Sequence, residues 1–188
     1  AGSGPAQIVR IPAGGGAPER VAAEGNLVAP TGLALSSDGI LSVLDAALVI
    51  RVDPAAYDAN DKLANQTVLD DDGIPTNPTA IEINELGHNL LADPGAEGGA
   101  GDLVQVGSGG GGSLFGLDDP LGNVTGLALA RRRPERGDVI VAPLSNKSLV
   151  RVDPDTGEKT VISKDGWLDQ TTGVAIRADG RTAFVCTS

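Results

Sequence analysis

Four acidic residues recur at equivalent places along the chain. Each lies eight residues before a small residue that opens an apolar stretch, and they are Glu24, Asp72, Asp118 and Asp165. Asn77, Asn123 and Asp169 lie between these residues and the stretches that follow. Carboxylate and amide oxygens on flexible loops are ligands that suit Ca²⁺ better than Mg²⁺. If the loops converge on one face, the pattern predicts a Ca²⁺ site formed by these side chains.

A turn role is the alternative explanation for the same residues. Aspartate is common in turns because its side chain hydrogen-bonds to the nearby backbone. An internal repeat would copy such a turn without bringing the carboxylates near one ion. The sequence leaves both explanations open.

The elements that would position these loops recur with one period. The apolar stretches open at Thr31-Gly32, Thr79-Ala80, Thr125-Gly126 and Thr172-Gly173, with spacings of 48, 46 and 47 residues. A fixed period of this length is typical of stacked or radial arrays. Each stretch alternates apolar and polar residues up to a turn with glycine, such as Asp38-Gly39 or Asp179-Gly180. The alternation predicts strands, and the turns predict hairpins.

Each repeat contains a second hairpin with its own shared pattern. Its first strand reads Ile8-Val9-Arg10-Ile11, Val49-Ile50-Arg51-Val52, Leu103-Val104-Gln105-Val106 and Leu149-Val150-Arg151-Val152. Four strands per repeat at this period are typical of a β-propeller blade. We therefore predict an all-β fold, a β-propeller of four four-stranded repeats in which helices are rare.

The hairpins are out of phase with the repeat. We call the hairpin that opens at Thr-Gly the inner hairpin of a repeat, and the second hairpin the outer one. The chain starts with an outer hairpin and finishes with an inner one. The units therefore span approximately 7–47, 48–101, 102–147 and 148–188 of a single domain. One prediction is that the two end hairpins pair into a composite blade, which closes a four-bladed ring and hides the sheet edges. The second is that the chain is a fragment of a larger ring with six or seven blades. A third possibility is an incomplete ring that pairs with another chain.

Two segments resemble a known group of propellers. Ala29-Pro30-Thr31-Gly32-Leu33-Ala34-Leu35, followed by Asp38-Gly39, resembles the inner hairpin of the NHL, gluconolactonase and streptogramin-lyase-like propellers. The outer hairpin of that group is similar to the segment 148–157. The third repeat departs from the pattern, since Ala142-Pro143 replaces the aspartate that ends the second strand. The shared motifs describe a fold, and such a fold hosts many unrelated functions.

The resemblance implies positions for a metal and for an acid/base group. The gluconolactonase-like enzymes hold a divalent metal with Glu, Asn and Asp, and Asn77, Asn123 and Asp169 or Gln170 are the matching positions. The first repeat has Ala29-Pro30 where the glutamate would be. The lyase-like members need a histidine, and the single histidine here, His88, follows a hairpin turn. We expect His88 to be solvated rather than catalytic.

Composition limits the partners that the chain can have. A net charge of −11 argues against a nucleic-acid partner, because a phosphate backbone requires clustered Lys and Arg. The sequence has no apolar run long enough for a membrane span. Its acidic, Lys-poor composition favours a secreted, periplasmic or cell-surface location. Cys186 is the single cysteine, and we expect it to be buried in a strand, or to pair with another chain if the protein is secreted.

These observations predict a non-catalytic propeller that binds a protein, glycan or small ligand on one loop face, or packs as a structural unit in an assembly. The alternative is a metal-dependent, lactonase-like hydrolase with a divalent cation, Ca²⁺, at the mouth of the central channel.

Overall fold

The alternating apolar stretches form antiparallel strands in a computed structural model of the chain. The structure describes residues 5–70, 73–96, 102–115, 121, 123–130, 137–144 and 146–187. These residues contain sixteen strands and one short 3₁₀ helix, Pro54–Ala56, so the predicted all-β fold is confirmed.

The strands are numbered in chain order. They are β1 (Gln7–Arg10), β2 (Glu19–Ala23), β3 (Pro30–Leu35), β4 (Leu41–Asp45), β5 (Leu48–Val52), β6 (Gln66–Asp70), β7 (Ala80–Ile83), β8 (Asn89–Asp93), β9 (Asp102–Val106), β10 (Gly112–Phe115), β11 (Val124–Leu129), β12 (Val139–Pro143), β13 (Ser148–Val152), β14 (Lys159–Lys164), β15 (Thr171–Ile176) and β16 (Ala183–Thr187).

Three of the sheets are complete four-stranded blades. Blade 1 contains β3 to β6, blade 2 contains β7 to β10 and blade 3 contains β11 to β14, each with its strands in sequential order. The turns between their first two strands contain glycines with positive φ, 86° at Gly39 and 79° at Gly87. Glycine is required at such positions because it tolerates positive φ without steric cost.

The remaining four strands form two separate half blades. β1 pairs with β2, β15 pairs with β16, and each pair is a two-stranded sheet. Among the described residues, no ladder joins β1 to β16, so the predicted four-bladed closure is not formed. The prediction of four four-stranded repeats therefore corresponds to three complete blades and two halves.

Apolar clusters fill the spaces between neighbouring sheets. Leu44 and Val49 of blade 1 pack with Ile83 and Leu91 of blade 2. A second cluster joins blade 2 to blade 3, and smaller ones attach the half blades at either end. Valine, leucine, isoleucine and alanine dominate these layers, and Phe115 is the one aromatic residue buried among the described residues.

The innermost strands come together at the repeated Thr-Gly positions. A Cβ atom added to Gly126 of β11 would lie 2.8 Å from the Cα atom of Gly173 in β15. Beside this contact the Thr125 hydroxyl donates to the carbonyl of Thr171. The repeated Thr-Gly pair is therefore a contact between blades.

One expectation about the ends of the chain is wrong. Cys186 in β16 is exposed, not buried. Its equivalent in blade 1 is Leu44, which is fully buried because blade 2 covers it. The described residues contain no sheet that covers β16 in the same way.

Candidate functional site

Two of the predicted acidic ligands occupy the same kind of turn. Glu24 and Asp165 have positive φ values of 52° and 63°, and a glycine follows each. Both are exposed. The Glu24 carbonyl accepts from Leu27 N at 3.0 Å and from Gln66 Nε2 at 3.1 Å, so its backbone serves the turn.

Three further predicted ligands are exposed, and each takes part in a hydrogen bond or an ion pair within the chain. The backbone nitrogen of Asn77 donates to Asp93 Oδ1 at 3.0 Å. The carbonyl of Asn123 accepts from Leu144 N at 2.7 Å. Asp169 forms an ion pair with Lys147 at 3.1 Å.

The Ca²⁺ site stays a prediction. Asp72 and Asp118, two of its four repeated carboxylates, lie outside the described residues. Within the part of the chain that the structure describes, no three His, Cys, Asp or Glu side chains are grouped closely enough to hold a metal ion.

Two carboxylates that sequence reasoning did not select are buried at the same ends of the blades. Asp45 accepts from Val28 N at 2.6 Å and from Ala29 N at 2.9 Å. Asp93 accepts from Thr76 N at 2.6 Å, from Asn77 N at 3.0 Å and from Gly95 N at 2.8 Å. Both hold the loop that enters their own blade. Each is the last residue of the second strand of its blade, the place of the aspartate in the motif that carries the resemblance.

A polar groove lies at the opposite end of blades 1 and 2, beside the hairpin turns. Its volume is about 370 Å³, within the range of small-ligand sites. Its polar lining comprises Ser36, Asp38, Ser42, Arg51, Asn89 and Ser108, and Ile40, Leu69 and Leu86 supply apolar surface.

The groove is polar because two polar residues replace apolar ones. Strand pairing places Asn89 opposite Ile83, as Leu41 is opposite Leu35 and Val139 is opposite Leu129. Leu41 and Val139 are buried. By the same pairing, Ser42 corresponds to Leu90 in blade 2 and to Ile140 in blade 3. At the junction of blades 2 and 3 the equivalent residues, Leu90 and Val139, are apolar and buried. Between blade 3 and the half blade of β15 and β16, a cavity of about 280 Å³ lies beside Ile140 and Ala183, so a groove recurs there with an apolar lining at these two positions.

Asn89 is unusual because its amide has no partner. The residue is 1% exposed, and neither its Nδ2 nor its Oδ1 has a hydrogen-bond partner in the structure. A buried polar group without a hydrogen bond costs about 1–3 kcal/mol. The buried amide, which lines the groove, is thus the strongest mark of a binding site in the described residues.

Charged groups complete one side of the groove. Ser36 Oγ donates to the Asp38 carboxylate. This hydrogen bond is the main cause that lowers the pKa of Asp38, and the charge of Arg51 lowers it further. Asp38 is consequently ionised at neutral pH next to a guanidinium, so the pair brings no net charge to the groove.

The single histidine lies near this end of blade 2. His88 is half-buried, its backbone nitrogen donates to Asn84 Oδ1 at 2.9 Å, and its carbonyl accepts from Asn84 N at 3.0 Å. These bonds close the turn between β7 and β8.

No helix in the described residues has the length and apolar character that a membrane span requires.

Solved structures with a similar fold include an enzyme and a protein complex. Virginiamycin B lyase from Staphylococcus aureus is 13% identical, with a TM-score of 0.71 over 96% of this chain and 56% of the lyase. A chain of a nidogen–laminin complex is 17% identical, with a TM-score of 0.73 over 96% of this chain and 64% of that one. A catalytically inactive histidine-to-alanine variant of the lyase, solved with quinupristin, is 12% identical, with a TM-score of 0.65 over 89% of this chain and 52% of the variant.

The chain thus spans between about half and two thirds of the length of these structures. No family model matches it, and no curated protein matches it in sequence. The resemblance to the streptogramin-lyase-like and NHL-like propellers is confirmed at the level of fold, and the chain has the β-propeller fold that these proteins share.

Proposed function

We propose that the chain is a non-catalytic propeller module that binds a neutral, hydroxyl-bearing ligand, such as a glycan residue, in the groove between blades 1 and 2. The unpartnered amide of Asn89 is the observation that carries this proposal. Once the side chains that cover Asn89 move aside, a ligand hydroxyl can both accept from Nδ2 and donate to Oδ1, which removes the cost of the buried amide.

The rest of the lining supports the same class of ligand. Arg51 and the ionised Asp38 offer donors and an acceptor without net charge. Ile40 and Leu86 provide apolar surface for the C–H faces of a sugar ring. Because Asp38 and Arg51 together have no net charge, neither an anion nor a cation gains a net Coulombic attraction from the pair.

A titration followed by NMR tests the proposal. The ¹⁵N-labelled protein is titrated with two neutral probes, methyl glucoside and N-acetylglucosamine, while the side-chain amide of Asn89 and the backbone amide of Gly87 are observed. We expect saturable shifts at these two groups. Shifts confined to other parts of the chain, or no shift with either probe, would overturn the proposal.

Asn89→Leu is the matched control. It introduces leucine, the residue that blade 1 has at the equivalent position, Leu41. The substitution therefore fills the groove with a side chain that the fold already accommodates in another blade. We expect the variant to fold and to lose the shifts at Gly87. Retention of saturable binding by the variant would show that Asn89 does not contact the ligand.

The similar structures include proteins bound to other molecules. One belongs to a complex of nidogen and laminin, and another is a catalytically inactive histidine-to-alanine variant of virginiamycin B lyase with quinupristin. The complex of nidogen with laminin supports a binding role for this chain.

The hydrolase alternative depends on a divalent metal. Its test is the metal content of the purified protein, together with the melting temperature in Ca²⁺ and in EDTA. Bound Ca²⁺ that is lost in Asp72→Ala and Asp118→Ala would favour the alternative, and equal melting temperatures in Ca²⁺ and in EDTA would count against it.

A secreted, periplasmic or cell-surface location remains part of our proposal, supported by the acidic composition.

A further inference from the structure

We propose that the ligand of the groove is a neutral oligosaccharide, which continues over Leu86 into a second cleft between blades 2 and 3. This inference rests on the proposed function and specifies its ligand, a chain of several sugar residues instead of a single one. The second cleft has a volume of about 260 Å³. Asn84, Glu85 and Asp155 are its polar lining, and Leu86, Leu129 and Pro154 are its apolar lining.

The second cleft repeats the position of the groove, one blade further along the chain. Three pairs of lining residues occupy equivalent places: the last residue of the first strand, the glycine two residues before the second strand, and the residue two places after the third strand. These pairs are Ile83 and Leu129, Gly87 and Gly137, and Ser108 and Pro154. The two cavities are therefore copies of one feature of the repeat, which suits a ligand whose own units repeat.

The two cavities differ in their deeper residues. Leu90 and Val139 hold the places in the second cleft that Ser42 and Asn89 hold in the groove, and both are buried. The second cleft thus has apolar residues at these places, and its exposed polar residues, such as Asp155, lie at the rim. We therefore expect the groove to bind one sugar residue most tightly and the second cleft to add affinity for a longer chain.

Leu86 connects the groove to the second cleft. It lines both cavities and is 72% exposed. The equivalent residue in blade 1 is Asp38, which accepts a hydrogen bond from Ser36 within its own turn. In blade 2, Asn84 closes the turn instead, since its Oδ1 accepts from Leu86 N at 3.0 Å. The apolar side chain of Leu86 therefore forms a ridge between the two cavities, on which the C–H face of a sugar ring can pack.

The spacing of the two cavities requires an extended ligand. Neighbouring sheets pack about 10 Å apart, so equivalent places on blades 2 and 3 are separated by about this distance. A single sugar ring cannot fill both cavities, whereas an oligosaccharide can reach from one to the other. Once one end is bound, binding of the other end becomes intramolecular, which raises the overall affinity.

Charge favours a neutral chain as the occupant. The protein has a net charge of −11, and the second cleft contains the carboxylates of Glu85 and Asp155. This charge opposes the approach of an anionic polysaccharide. The exposed carboxylate of Asp155 can accept hydrogen bonds from sugar hydroxyls, which a neutral glycan has in every residue.

A comparison of a monosaccharide with its oligomer tests the proposal. The ¹⁵N-labelled protein is titrated with N-acetylglucosamine and with tetra-N-acetylchitotetraose, while the backbone amides of Gly87 and Gly137 are observed. We expect the monosaccharide to shift Gly87, and the tetramer to shift both glycines with one saturation curve. The Kd of the tetramer should be lower by about tenfold or more, because its two ends bind together.

The outcomes separate this inference from the proposed function. Tetramer shifts confined to Gly87, with equal Kd values for the two probes, would overturn the inference and leave the proposed function standing. No shift at Gly87 with either probe would overturn both. Tetraglycine is the third probe, and saturable shifts at both glycines with this peptide would assign the two cavities to a peptide and overturn the oligosaccharide.

Asp155→Trp provides a second measurement. The substitution puts a large side chain at the rim of the second cleft, at an exposed position of a turn. We expect the Kd of the tetramer to rise to that of the monosaccharide for the unsubstituted protein, and the shift at Gly137 to be lost. Thr156→Trp, at the exposed neighbouring position outside the cleft lining, is the matched control and should keep the affinity for the tetramer. Undiminished affinity in Asp155→Trp would overturn the proposal.

Discussion

The hydroxyl of Thr125 donates to the backbone carbonyl of Thr171 at 2.5 Å, across the inner strands of neighbouring sheets. The hydroxyl of Thr79 donates in the same way to the carbonyl of Val124, at 2.9 Å. The recurring threonine therefore joins blade 2 to blade 3, and blade 3 to the half blade of β15 and β16. A hydrogen bond of this kind contributes about 0.5–1.5 kcal/mol to stability.

We predict that Thr125→Val lowers the free energy of unfolding by about 1–3 kcal/mol, because the Thr171 carbonyl loses its donor in a partly buried place. Urea unfolding followed by circular dichroism measures the change. Thr67→Val, at an exposed strand position, is the control and should change stability by less than about 0.5 kcal/mol. Equal effects of the two substitutions would show that the hydrogen bond from Thr125 to Thr171 contributes nothing to the free energy of unfolding.

The repeat allowed the fold to be predicted, because alternation, turn glycines and a fixed period are local properties. The groove was not predictable, since Ser42 and Asn89 are ordinary polar residues in sequence. They become unusual only when strand pairing aligns Asn89 with Leu41 and Ser42 with Leu90. Asp45 and Asp93 were visible as part of a motif, but their bonds to loop nitrogens depend on the fold.

Gly126→Ala should be strongly destabilising. The new Cβ would lie 2.8 Å from Gly173 Cα and 2.9 Å from Val174 N, both backbone atoms that cannot move without separating β11 from β15. We expect a loss of more than about 2 kcal/mol in the free energy of unfolding. Gly173→Ala is the matched control, because a Cβ there meets nothing within 4 Å. A similar loss in both variants would contradict the close approach as its cause.

Asp93→Ala should destabilise blade 2 more than an exposed substitution does. The change leaves the backbone nitrogens of Thr76, Asn77 and Gly95 without their acceptor. Hydrogen bonds to a charged group contribute about 1.5–3 kcal/mol each. We expect a lower urea midpoint and faster hydrogen exchange at these three amides. Asp155→Ala, which removes an exposed carboxylate, is the control. Unchanged protection of the three amides from hydrogen exchange in Asp93→Ala would contradict this role.

The hydrogen bond from Ser36 should control the titration of Asp38. It lowers the pKa of this carboxyl from its ordinary value of 3.8, so Ser36→Ala should raise the pKa. Because the pKa of Asp38 is lower in the folded than in the unfolded state, the carboxylate stabilises the fold at pH values above its unfolded-state pKa. That stabilisation is lost as the pH falls through the folded-state pKa. NMR titration of the Asp38 carboxyl carbon measures the shift, and an unchanged pKa in Ser36→Ala would contradict the assignment.

Asn89→Leu should make the protein more stable while it removes the groove. The amide of Asn89 is buried without partners, and leucine fills the equivalent position in blade 1. Removing an unsatisfied buried amide should raise the free energy of unfolding by about 1–3 kcal/mol. Ser108→Ala, which changes the lining without touching the buried amide, is the control. A loss of stability in Asn89→Leu would mean that the amide has a partner in solution. A gain, together with lost binding of the sugar probes, would show that the chain retains a destabilising residue for the sake of its ligand.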